Sequence, residues 1–121
     1  MNNLEIGQIG ESIASDYLKS HNYKIIDRNF RYKNFGEIDI IAEKEKWTVF
    51  IEVKTRTSDY MGLGDDSIDT RKIKALKRVC EIYANLNPNI KQPLLLDAII
   101  VLLDPKNYSK YKITHYENLD I

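Results

Sequence analysis

Apolar residues recur at helical spacing near the start of the chain. Ile6, Ile9, Ile13 and Tyr17, with Ala14 beside them, mark one buried helix face. Asn2 or Asn3 is placed to cap that helix. Gly7 and Gly10 weaken it by roughly 1 kcal/mol each relative to alanine, so close packing or the close approach of a ligand is expected to offset them. Glu11 falls at the edge of the apolar stripe. The period then changes. Tyr23 to Tyr32 reads as a strand centred on Ile25 and Ile26, and Lys33 to Gly36 as a turn. The segments Gly36-Glu37-Ile38-Asp39-Ile40-Ile41 and Val49-Phe50-Ile51-Glu52-Val53-Lys54 alternate and are rich in β-branched residues; they predict two more strands, joined near Glu43 to Lys46. Thr57 to Asp66 holds Gly62 and Gly64 without periodicity and reads as a loop.

Asp66 or Ser67 can cap a second helix that runs to about Leu86, with Ile73, Leu76, Val79, Cys80 and Tyr83 as its buried stripe. Pro88 and Pro93 bound the turn that follows. Leu94 to Leu103 is apolar except for Asp97, as expected of a strand covered on both faces. A helical crossover separates it from the preceding strand, so the two are expected to be parallel. Pro105 to Lys110 reads as a loop and Tyr111 to Tyr116 as a final edge strand. The predicted order is α-β-β-β-α-β-β: an α/β fold with a mixed sheet flanked by helices, in a single domain over residues 1–121.

Composition excludes more than it identifies. Acidic and basic residues number 18 each, so the formal net charge is zero and no global field points to nucleic acid. The one cysteine, Cys80, excludes an internal disulfide and a cysteine metal cluster, and fits a reducing cytoplasm. The N-terminus has no apolar signal core. The longest apolar run is shorter than the about 20 residues that span a bilayer, so no membrane partner is expected.

The two motif strands carry the chemistry. Successive side chains alternate faces along a strand, so Glu52 and Lys54 share a face. If the strands pair as a hairpin, Asp39 converges with them. Two carboxylates and a lysine on apolar strands are costly to bury unless they pair or bind a cation. Such carboxylates suit a hard ion such as Mg²⁺, which can polarise a phosphoryl oxygen; Lys54 is placed to orient water or stabilise phosphate charge. A structural ion pair at a sheet edge explains the same spacing equally well.

GEIDIIA followed by VFIEVKTR resembles the YraN-like family, a branch of the PD-(D/E)XK, or restriction-endonuclease-like, nucleases, which also include Holliday-junction resolvases. Asp39, Glu52, Val53 and Lys54 occupy that superfamily's motif. Gly10-Glu11 with Ala14, Arg28-Asn29, Tyr60-Met61-Gly62 and Lys72 extend the resemblance over nearly the whole chain. The resemblance implies a restriction-endonuclease-like core and Mg²⁺- or Mn²⁺-dependent hydrolysis of DNA phosphodiesters, at branched or flapped structures. It implies Glu11, Asp39, Glu52 and Lys54 as catalytic, with metal held by Asp39, Glu52, the Val53 carbonyl and Glu11. Resolvases pair, which implies a homodimer. A nucleic-acid-binding or assembly protein without turnover is the alternative. Leu95-Leu96-Asp97 stands where the family often has Arg-Phe-Asp, and Asp97 reads first as a satisfied buried acid, with a catalytic acid as the alternative.

Around this constellation, Glu37 is expected to pair with a nearby basic residue. Arg56 lies on the face of Lys54 and is a candidate phosphate contact. Arg71, Lys72, Lys74 and Arg78 make the second helix locally basic, a candidate phosphate-tracking surface or simply a solvated face. Most of the eight tyrosines are expected to pack; Tyr32 and Tyr60 are candidates for base stacking. His21 and His115 show no partner spacing and are assigned no chemistry.

Overall fold

A computed structural model of the protein describes residues 2–57 and 70–119. Helix α1 (Asn3–Ser20) starts at Asn2, whose side chain accepts from the Glu5 N–H at 2.9 Å while Glu5 reaches back to the Asn2 N–H. This reciprocal box satisfies backbone donors that a helix start leaves open. Three strands follow, β1 (Lys24–Arg31), β2 (Glu37–Lys44) and β3 (Trp47–Thr57), then helix α2 (Thr70–Leu86) and strands β4 (Leu94–Asp104) and β5 (Asn107–Tyr116). The predicted element order is the observed one.

The five strands form one mixed sheet in the order β1-β2-β3-β4-β5. Only β3 and β4 pair in parallel, and α2 lies in the connection between them, as such a crossover requires. The sheet has a core on each face. Ala14 and Leu18 of α1 pack with Ile40, Ile51, Ile99 and Val101 on one side. Ile73, Leu76, Val79 and Tyr83 of α2 pack with Ile41 and Phe50 on the other. Strands β2, β3 and β4 are covered twice and are nearly continuous in apolar residues for that reason.

One expectation changes. The segment read as a loop over 105–110 is a turn at Pro105 and Lys106, with β5 already begun at Asn107. Its first half is mostly exposed and carries no apolar alternation, so periodicity could not reveal it. The caps proposed for α2 at Asp66 and Ser67, and the segment Tyr60-Met61-Gly62, lie outside the described residues. No helix among those described is long and apolar enough to cross a membrane.

Gly10 has a clear packing reason. A Cβ there would collide with the Thr55 side chain, so glycine is what lets α1 lie against β3. Gly7 has no such neighbour; a Cβ there meets nothing within 4 Å.

Candidate active site

Strands β2 and β3 pair from Ile40↔Ile51 outward to their shared turn, and the pairing stops there. Beyond it β2 departs from simple alternation: Ile38 and Ile41 both join the α2-side core, and Asp39 lies between them at the break. Its carboxylate takes over the place of a strand partner. The Val53 N–H donates to Asp39 Oδ2 at 2.7 Å, in a buried hydrogen bond. A residue's N–H and C=O leave an extended strand along the same edge, so the Val53 carbonyl opens toward the same gap.

Asp39 and Glu52 face each other at this gap. Asp39 is 7% exposed. Burial raises its carboxyl pKa well above the ordinary value, and the adjoining Glu52 raises it further; the Val53 N–H pulls the other way without reversing the shift. This is the behaviour of two carboxylates sharing a confined site without a cation. Lys54 is next to them. Burial depresses its pKa first, and the nearby Lys72 and Arg56 add to this, against the opposing pull of Glu52.

Lys72 reaches into this site from α2. Its Nζ stands 3.1 Å from Glu52 Oε2. Burial alone would lower its pKa, but contact with Lys54 and the charges of Glu52 and Asp39 outweigh that and raise it. Lys72, at the border of the buried stripe, contacts Glu52, whereas Arg71, Lys74 and Arg78 are exposed on the helix. Position 72 borders the buried stripe one turn before Leu76, which turns its side chain inward. A cavity of about 350 Å³ opens over the group, lined by Phe35, Asp39, Glu52, Lys54, Lys72 and Leu76.

Glu11 stands on the α1 side, and its charge adds a smaller upward push on the Asp39 carboxyl pKa. Asn29 Nδ2 donates to Glu11 Oε1 at 2.9 Å, and Arg28 lies 3.7 Å from the same oxygen. Asn29 adopts a left-handed backbone, φ 55°. Glu11 still borders a second hollow, of about 440 Å³, together with Val53, Lys54 and Arg56. The two hollows meet over Val53 and Lys54. Among the described residues no group of three or more His, Cys, Asp or Glu side chains is set to hold an ion. The donors gathered here are two carboxylates and a backbone carbonyl, all hard oxygens. That set fits Mg²⁺, which is commonly held by one or two carboxylates with water and substrate phosphate completing the shell.

Other sequence-selected residues fall as follows. Glu37 pairs with Arg31 at 3.7 Å, as expected of a flank residue. Arg56 Nη1 donates to the Thr55 carbonyl at 3.1 Å. Cys80 is buried, which pushes its thiol up to about 12, so it behaves as a small hydrophobe. Asp97 is satisfied, as read: Oδ2 lies 2.8 Å from His115 Nε2, and Oδ1 accepts the Asn118 N–H at 2.8 Å. His115, assigned no chemistry, proves to be a structural link whose Nδ1 also lies 3.0 Å from the Tyr17 hydroxyl. No sequence spacing announces it, because the β4–β5 register that sets Ile99 opposite His115 is a tertiary fact. Phe35 was likewise passed over, since a single aromatic in a polar turn has no pattern.

Residues 10–101 match the family described as Uncharacterised protein family UPF0102. The chain is 36% identical over 116 residues to a UPF0102 protein of Syntrophomonas wolfei, covering 96% of this chain and 97% of the relative. It is 39% identical over 119 residues to a UPF0102 protein of Caldanaerobacter subterraneus, covering 98% and 96%. With a UPF0102 protein of Flavobacterium johnsoniae it shares 43% identity over 111 residues, covering 92% and 89%. On this agreement along almost its full length, the chain belongs to the UPF0102 family.

Proposed function

We propose that the protein is a metal-dependent phosphodiesterase that hydrolyses nucleic acid, with DNA as its substrate. The observation that carries this is the buried acid pair Asp39–Glu52 beside Lys54, at the point where β2 leaves β3. An acid held protonated by burial and by a second carboxylate is a strained arrangement in a neutral solution, and a divalent cation relieves it. The resemblance to PD-(D/E)XK nucleases, with their restriction-endonuclease-like core, assigns the same residues to catalysis.

Asp39, Glu52 and the Val53 carbonyl would hold Mg²⁺ or Mn²⁺, with Glu11 available from the α1 side. An ion held there supplies Lewis-acid polarisation of a phosphoryl oxygen. The protein's own groups do the rest. Lys54, beside both carboxylates, is placed to orient the attacking water and to stabilise charge on the phosphate. Lys72, charged and adjacent, faces the negative charge that builds on the phosphate oxygens. Arg56 lines the adjoining hollow, within reach of a neighbouring phosphate. The exposed Arg71, Lys74 and Arg78 extend a positive path along α2.

The test is cleavage of labelled four-way-junction, flap, duplex and single-stranded DNA by wild type, Asp39→Ala and Lys54→Ala, with Mg²⁺, Mn²⁺ or EDTA. Metal-dependent cutting that both substitutions abolish is the expected result. One observation favours a second reading, a binding or assembly protein without turnover: Lys72 already neutralises Glu52, and Glu11 is tied to Arg28 and Asn29. Folded wild type that binds DNA and cuts none of the substrates in Mn²⁺ would select that reading. Light scattering in solution tests the homodimer implied by the resolvase resemblance.

A further inference from the structure

The turn between β1 and β2 holds two aromatic residues side by side. The Phe35 N–H donates to the Tyr32 carbonyl at 3.2 Å. That closure sets the two rings 16° from parallel, with centroids 6.2 Å apart. Lys33 Nζ stands 5.3 Å from the centre of the Tyr32 ring. Lys33 itself has φ 52°, a left-handed backbone that non-glycine residues adopt uncommonly. The turn thus holds an unfavourable backbone conformation while keeping Phe35 44% exposed.

A single exposed aromatic carries no message. Phe35 differs by what lies under and beside it. A second ring supports it, and it lines the cavity that contains Asp39, Glu52, Lys54 and Lys72. At about 350 Å³ that cavity lies at the lower end of the range for small-ligand sites. One hollow so combines an aromatic face, two lysines and two carboxylates. A nucleotide unit has the matching parts, a flat base and a charged phosphate.

We infer that Phe35, backed by Tyr32 and Lys33, is a stacking platform for an unpaired base of the strand whose phosphate lies against Lys54 and Lys72. This rests on the nucleic-acid reading above and narrows it. A base inside a duplex gives both faces to its neighbours and reaches such a platform only by leaving the stack. Single strands and flaps offer the base without that cost. Stacking is tolerant of sequence because every base has a π-face, so the platform selects an unpaired structure rather than a sequence.

The experiment uses an oligodeoxynucleotide carrying one 2-aminopurine, single-stranded or in a blunt duplex. Ca²⁺ replaces Mg²⁺ as the hard cation. Affinity is read by anisotropy and stacking by quenching of the 2-aminopurine. The wild type is expected to bind the single strand more tightly than the duplex and to quench the probe. Phe35→Ala is expected to weaken single-strand binding by about 5- to 100-fold and to abolish quenching. Phe35→Tyr should retain both, and duplex affinity should be the same in all three. Circular dichroism checks that each variant is folded. If Phe35→Ala matches wild type on the single strand while Lys72→Ala weakens it, the platform is overturned and the nucleic-acid reading stands. A wild type that prefers the duplex also overturns the platform. A wild type that binds neither DNA overturns both.

Discussion

Asp39 and Asp97 are aspartates on interior strands of one sheet, 7% and 3% exposed, and their surroundings differ in kind. Both oxygens of Asp97 have partners, His115 on one and the Asn118 N–H on the other. The Leu119 N–H adds a bond to the Leu96 carbonyl at 2.7 Å, and with it this acid ties residues 118 and 119 to β4. Asp39 has the Val53 N–H on one oxygen and a second carboxylate as its neighbour. At Asp97 a donor meets each oxygen; at Asp39 burial and the adjoining Glu52 raise the carboxyl pKa against a single N–H donor. A buried acid with a full set of donors is a structural joint. One that confronts another acid beside two lysines is the place proposed above for a cation and a charged substrate.

Substitutions should separate the two acids, and the largest effect is on catalysis. If the proposed chemistry is right, Lys54→Ala should lower the cleavage rate by about 100-fold or more. Its urea midpoint should shift little, because Lys54 is only partly buried. Asp97→Ala should do the reverse. It strands the partly buried His115 ring and removes the acceptor of the Asn118 N–H, a loss of about 2 kcal/mol in urea unfolding. A comparable loss of stability in Lys54→Ala, with Asp97→Ala unaffected, would erase the distinction between joint and site.

Metal should stabilise one acid and ignore the other. At a Mg²⁺ concentration 100 times its Kd, ligand linkage adds about 2.7 kcal/mol to wild type. Asp39→Asn should lose that increment, and Asp97→Asn should keep it once its own lower baseline is subtracted. Thermal unfolding with and without Mg²⁺ reads this directly.

The pH dependence has a definite sign. The folded-state pKa of Asp39 is raised above its ordinary 3.8. Without metal, the folded state therefore holds a proton that the unfolded chain has released. Its contribution is fully present below pH 3.8 and declines as pH rises through the window up to the folded pKa, by at most about 1.4 kcal/mol per pH unit. The stability of Asp39→Asn minus that of wild type should grow across that window in EDTA. A difference that stays flat, or shrinks, would show that Asp39 is ionised without strain. Adding Mg²⁺ near neutral pH should also release protons, measurable by calorimetry in buffers of different ionisation heat.

Local pattern went far here because the elements are long and the strands are covered on both faces. Apolar runs and helical stripes carried element order and the parallel β3–β4 pair. The candidate site was legible as residue types, since Asp39, Glu52 and Lys54 are the polar exceptions on apolar strands. Short polar segments were not legible. The start of β5 at Asn107 has exposed residues with no apolar period, and the Phe35 turn is a few residues whose meaning depends on the cavity beside them.

The sequence by itself determined which side chains must be buried, and hence the helices, the strands and the presence of charges that burial makes expensive. The period of 2 or 3.6 is a property of a few neighbouring residues and needs no distant partner. Only the tertiary structure decided that Lys72 lies on Glu52, that Asn29 and Arg28 hold Glu11, and that His115 meets Asp97. Those contacts join residues far apart in the chain, and their geometry is set by strand register and helix placement, which no local period encodes.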